Sequence, residues 1–280
     1  MTRSLSQKQL HLKQTISVLG CGWLGFPLAK ALIRVGHLVK GSTTSKDKLE
    51  QFKAHHIDGF QIALQNHGNQ GDVDGFFKNA SIVIVAIPPG MRRNPENNLL
   101  QQLKALIPSL KKAQVKHLIF ISSTSVYRNT ETMMTINEKS ALSPETESGK
   151  MIASIEEFLS NQSSFTTSIL RCSGLFNDSR HPIYSLEGKS NLKHPEGPVN
   201  LVHQSDVINI ILKLIQSKQY GQAFNLAYPE HPTRIDYYTL KAEEQNLNPP
   251  QFLNESISLG KMISSEKVIE VLDYKFQHPI

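Results

Sequence analysis

The chain has 280 residues, 39% of them hydrophobic, and a formal charge of +6 from 30 basic and 24 acidic side chains. That apolar content can bury one large core or two modest ones. The longest aliphatic run, residues 82–87, falls far short of the about 20 residues that a membrane span needs.

Residues 1–14 (MTRSLSQKQLHLKQ) lack the apolar stretch of a secretory signal and read as a polar tail. Residues 15–19 (TISVL) are the first predicted strand. Leu24, Leu28, Leu32 and Val35 then recur at helical spacing, and Gly36 is a stop signal. A short strand is expected at 37–41, a helix from Lys46 to Ala54 and a strand at 60–64. The run 82–87, closed by Pro88-Pro89-Gly90, suits a strand buried on both faces of a parallel sheet. Leu99, Leu103, Leu106 and Leu110 mark a helix that Pro108 kinks or ends. Strands follow at 118–121 and 168–171, with a helix at 152–159 between them.

Prolines and glycines interrupt residues 174–200, after which a helix is expected around 207–215, a strand at 224–227 and a helix at 234–246. The alternation predicts an α/β, doubly wound parallel sheet of Rossmann type. The expected organisation is a tail (1–14), a dinucleotide-binding domain (15–173) and a smaller substrate lobe (174–280) interleaved with the sheet. Cys21 and Cys172 form neither a disulfide framework nor a zinc spacing, so the expected setting is a reducing cytoplasm. No metal arrangement is recognisable among the eleven histidines.

Between the first strand and the first helix, residues 20–25 (GCGWLG) fit G-x-G-x-x-G. That context turns a generic glycine pattern into a dinucleotide-binding prediction. Gly20 allows the tight turn, Gly22 lets a diphosphate approach the backbone, and Gly25 lets the helix close on the strand. The amides of Trp23 and Leu24 then face the phosphates from the helix N-terminus.

The charge map bears on which dinucleotide. Residues 1–46 hold seven basic side chains and no acid, and the first carboxylate is Asp47. The other 234 residues balance at 23 − 24 = −1, so the charge does not trace a nucleic-acid-binding surface. NAD sites usually carry an acid about 20 residues past the glycine loop. Here the equivalent positions are Thr43, Thr44, Ser45 and Lys46. Hydroxyls with a lysine suit a 2′-phosphate, so NADP is favoured over NAD. The plainer alternative is a helix capped by Ser45 or Thr44 and followed by a solvated lysine.

Several segments together resemble the extended and atypical short-chain dehydrogenase/reductases, including NAD-dependent nucleotide-sugar epimerase/dehydratase-like proteins. They are GCGWLG at 20–25, Ile87-Pro88-Pro89-Gly90, SSTSVY at 122–127, ILRCSGLF at 169–176 with Arg180, NLVHQSDV at 200–207, and the C-terminal GKMISSEKVIEVLDYKF. The resemblance implies NADP or NAD as cofactor, with Ile87, Pro88 and Pro89 beside it. It also implies a catalytic hydroxyl at Ser123, with Thr124 next to it, and a substrate-phosphate contact at Arg180. Arg92, beyond the fourth strand, is a second candidate anion contact.

In this family a Tyr and a Lys four residues later complete the chemistry. If Lys150 is that lysine, Thr146 stands at the tyrosine position; if Glu156 anchors the alignment, Ser148 and Ile152 take the two places. Neither register supplies a tyrosine. Tyr127 is a possible substitute acid, against core packing with a bonded hydroxyl. Asp206 and His203 read as structural. Two functions stay open: an oxidoreductase or epimerase/dehydratase acting on a small anionic substrate, and a non-catalytic NADP(H)-sensing module. The expected partners are small molecules, not nucleic acid or membrane, and the expected state is a monomer or homodimer.

Overall fold

The computed structural model describes residues 13–66, 68–88, 90, 96–254 and 257–280. The chain runs β1 (Thr15–Leu19), α1 (Gly25–Arg34), β2 (Leu38–Thr43), α2 (Lys48–Ala54), β3 (Asp58–Gln61), α3 (Val73–Phe77), β4 (Ile82–Val85), α4 (Leu99–Lys104) and α5 (Ile107–Lys112). It continues through β5 (His117–Ser123), β6 (Thr135–Ile136), α6 (Glu147–Ser160), β7 (Thr166–Cys172), β8 (Gly174–Phe176), β9 (Leu201–His203), α7 (Gln204–Ser217) and β10 (Ala223–Leu226). It ends with α8 (Arg234–Glu244), β11 (Met262–Ile263) and α9 (Glu266–Leu272).

Seven strands form one parallel sheet in the order β10-β7-β5-β4-β1-β2-β3. The order reverses between β1 and β4, which is where such sheets open a crevice for ligands. The aliphatic run of β4 is buried along its whole length, as expected for a strand covered on both faces. On one face α1, α7 and α9 bring Leu28, Leu32, Ile211 and Val268 onto the sheet. On the other, Phe76, Leu103, Leu110 and Ile155 of α3 to α6 close the second layer. A smaller core joins Phe176, Ile183 and Leu201 to Tyr237 and Tyr238 of α8. The chain beyond residue 174 thus adds both a side lobe and, through α7 and β10, part of the main layers.

Some predicted boundaries move. The helix expected across Leu99–Leu110 is two helices, and Pro108 sits in the first turn of α5, where its missing N–H costs nothing. β2 runs on to Thr43 because Lys40–Thr43 pair with β3. β3 lies at Asp58–Gln61, two residues earlier than its apolar pattern suggested. α2 starts at Lys48, and neither Ser45 nor Thr44 caps it. Among the described residues no helix is long and apolar enough to cross a membrane.

Candidate functional site

The glycine loop is fastened at the carboxyl ends of β1 and β2. Gly20 has φ +98°, a conformation that favours glycine. Its N–H donates to Ser42 Oγ at 2.8 Å, and Cys21 N–H donates to the Ser42 carbonyl at 2.8 Å. A Cβ at Gly25 would collide with the Gly20 carbonyl oxygen, so only glycine lets α1 start this close to β1. Gly22 is the reverse case: a Cβ there would meet nothing within 4 Å, which leaves the loop open on that side. Cys21 points inward, and burial pushes its thiol up to about 12, so it is not a reactive group.

Beside this loop lies a cavity of about 420 Å³. The glycine loop lines it with Gly22, Trp23 and Leu24, β4's end with Ala86, Ile87 and Pro88, and β5's end with Phe120 to Ser123. Ile152 of α6, Cys172, Ser173, Leu175 and Arg180 complete the lining. A larger hollow, about 640 Å³, opens at the amino-terminal edge of β5 and β7 around Lys116 and Thr166. Ligands of parallel sheets bind at the opposite edge, where the glycine loop is, so the smaller cavity is the candidate site.

Its three serines are in different states. Ser123 Oγ accepts from Ser125 N–H at 3.1 Å, so its own O–H remains to donate. Ser122 Oγ donates to Glu156 Oε1. Ser173 is 6% exposed, and its Oγ has no hydrogen-bond partner among the described residues. Thr124 is buried in the turn after β5 and does not line the cavity.

Behind Ser122, Arg171 grips Glu156: Nε reaches both carboxylate oxygens at 3.1 Å and Nη2 reaches Oε2 at 2.7 Å. Arg171 Nη1 donates to Tyr127 Oη at 2.6 Å, and Tyr127 donates to Asn225 Oδ1 at 3.0 Å. Burial raises the Tyr127 phenol above its ordinary value, with Arg171 pulling the other way. Tyr127 is 2% exposed and fully occupied, which makes it a core residue and not a substitute acid.

Lys150 is not part of this cavity. It is exposed and pairs with Glu147 at 2.7 Å, one turn back on α6. Thr146 caps that helix by accepting from Gly149 N–H at 3.0 Å. Helical geometry instead turns Ile152 to the cavity and Glu156 to Arg171, the register in which Ser148 and Ile152 take the two catalytic positions. The expectation of a catalytic Lys150 is therefore corrected: it lies on the wrong face of α6.

Thr43 ends β2, Thr44, Ser45 and Lys46 follow it directly, and all four lie outside the cavity lining. Thr43 is buried, and its Oγ1 accepts from Ser45 N–H at 3.2 Å; Thr44 and Lys46 are exposed. Pro89 and Arg92 lie outside the described residues. Arg180 is carried to the glycine loop, its guanidinium 4.9 Å from the centre of the Trp23 ring.

One cluster escaped the sequence reading. His203, Asp206 and His278 come together at the start of α7. Asp206 accepts from Tyr274 O–H at 2.6 Å, from Gln277 and His278 N–H at 2.9 and 3.1 Å, and lies 3.2 Å from His278 Nδ1. That carboxylate is spent on tying down the C-terminal segment. His203 caps α7 through Nδ1 and stacks on His278 at 4.2 Å.

A family model described as NAD(P)H-binding matches residues 20–218. Protein YeeZ of Escherichia coli (strain K12) is 33% identical over 268 residues, covering 94% of this chain and 96% of that protein. Among solved structures, UDP-glucuronic acid 4-epimerase from Bacillus cereus in complex with NAD superposes with a TM-score of 0.77 at 16% identity, covering 95% of this chain and 94% of the other. MoeE5 in complex with UDP-glucose and NAD gives a TM-score of 0.76 at 17% identity, with the same coverage. At those identities the structural matches speak for the fold alone, a Rossmann-like parallel sheet flanked by helices.

Proposed function

This chain belongs to the NAD(P)H-binding family, and we propose that it is an oxidoreductase or epimerase/dehydratase-like enzyme that holds NADP in preference to NAD and acts on a small anionic substrate. The carrying observation is the cavity itself, lined both by the open glycine loop and by Ser173, a buried hydroxyl with no hydrogen-bond partner among the described residues. The residues fit a dinucleotide. Trp23 and Leu24 offer backbone N–H groups at a helix start to the diphosphate, and Ile87 and Pro88 give an apolar wall. Lys46, with Thr43, Thr44 and Ser45, supplies charge and hydroxyls for a 2′-phosphate.

When bound, nicotinamide supplies a hydride acceptor or donor. Ser123, whose O–H has no acceptor among the described residues, orients the substrate oxygen by donating to it. Phe120, Leu175 and Ile152 keep water from that end of the cavity. Proton transfer falls to a group other than the usual tyrosine. The alternative is a non-catalytic NADP(H) sensor, favoured by one observation: the α6 position nearest the cavity is Ile152, which holds no proton.

Gly22→Asp tests the cofactor reading. The added Cβ meets nothing within 4 Å, so the fold is retained, while its carboxylate repels a diphosphate. Calorimetry is expected to show dinucleotide binding in the wild type and none in the variant; equal binding in both defeats the assignment. Turnover of carbonyl or sugar substrates that falls in Ser123→Ala, with cofactor affinity kept, separates enzyme from sensor.

A further inference from the structure

We propose that Arg180 is a cofactor-diphosphate clamp seated on Trp23, and not a substrate contact. The inference rests on the dinucleotide reading of the cavity. The residues from Asn177 to Arg180 form a tight turn from the side lobe: Arg180 N–H donates to the Asn177 carbonyl at 3.0 Å, and Ser179 Oγ donates to Asn177 Oδ1 at 3.1 Å. The turn is tied to the glycine loop. Asn177 Nδ2 donates to Gln204 Oε1 at 3.2 Å, and Gln204 Nε2 donates to the Trp23 carbonyl at 2.8 Å. Arg180 is therefore delivered to Trp23 by a braced loop, and it lines the same cavity as Gly22, Trp23 and Leu24.

The electrostatics there are incomplete. α1 begins beside Trp23 with no acid in its first turn, whereas α7, which starts close by, has Asp206 in its own. The N-terminus of α1 carries a partial positive charge. Arg180 adds a full one, and no carboxylate among the described residues pairs with it. Two positive groups face one opening without a counter-charge, and a dianionic diphosphate on the glycine loop supplies it. The planar guanidinium can stack on the indole and still present its N–H edge as a two-pronged donor to phosphate oxygens, whereas an ammonium is a point charge without that fork.

Trp23 is the chain's single tryptophan, so its fluorescence reports this site alone. Titrations with NADP+, NAD+ and adenosine 2′-monophosphate (which has no diphosphate) are compared in wild type, Arg180→Gln and Arg180→Lys. Arg180→Gln is expected to weaken both dinucleotides by about tenfold or more, to leave adenosine 2′-monophosphate unchanged and to keep the wild-type melting temperature. Arg180→Lys is expected to recover only part of the loss. Unchanged dinucleotide affinity in Arg180→Gln overturns the clamp, and so does an equal loss for all three ligands. No dinucleotide binding to the wild type, by fluorescence or by thermal shift, removes the cofactor reading itself and the clamp with it.

Discussion

Arg171 and Glu156 form an ion pair at 2.7 Å in which neither side chain is more than 7% exposed, directly behind a serine that lines the cavity. Such a pair contributes little net stability because both charges lose their hydration, but breaking it strands one of them. Glu156→Gln is expected to destabilise the protein by about 3–5 kcal/mol, read as a lower urea midpoint with an unchanged slope. A midpoint equal to the wild type would show that Arg171 does not depend on this partner.

Ser173→Ala removes a buried hydroxyl that has no hydrogen-bond partner among the described residues. The free variant is expected to be more stable by about 1 kcal/mol, a rise of about 2–4 °C in melting temperature. Its cofactor or substrate affinity is expected to fall. Lower stability with unchanged affinity would contradict a ligand-facing role.

Lys46→Glu places a carboxylate where a 2′-phosphate is expected. The NADP+ to NAD+ affinity ratio should fall by about tenfold or more, about 1.4 kcal/mol, with the absolute affinity for NAD+ nearly kept. An unaltered ratio in parallel calorimetric titrations would remove Lys46 from cofactor discrimination.

His181 predicts an acid sensitivity. Burial, reinforced by Lys241, pushes its imidazole down from 6.5 to about 4. The neutral ring accepts from Ile183 N–H at Nδ1 and meets Tyr237 Oη at 2.8 Å through Nε2. Protonation at Nδ1 would break the first contact. The folded form therefore holds fewer protons than the unfolded one between these two values. The stabilising contribution is complete above about pH 6.5 and is lost as pH falls towards 4. His181→Gln should flatten the fall in urea midpoint between pH 7 and pH 4.5; an equally steep fall would mean that other groups carry it.

The layers of the sheet were legible because their signals are local. TISVL, the aliphatic run at 82–87 and the leucine spacing of the first helix each decide an element within a few residues. The short pairs β6 with β11 and β8 with β9 were not legible, since two or three residues joined across the chain leave no periodic trace. The site divides in the same way. The glycine loop announced itself, but Lys150 misled. Two readings of α6 differ by a slip of two residues, and only the burial of Glu156 against Arg171 decides between them. Ser173 carried no sequence signal, because its distinction is the absence of a partner.

The central claim is that the cavity beside residues 20–25 binds a nicotinamide dinucleotide. Thermal unfolding with NADP+, NADPH, NAD+ and NADH in parallel tests it most directly, since a ligand at about 100 times its Kd stabilises by about 2.7 kcal/mol. The account predicts an upward shift with these ligands, larger for the 2′-phosphorylated pair. No shift with any of the four would contradict it.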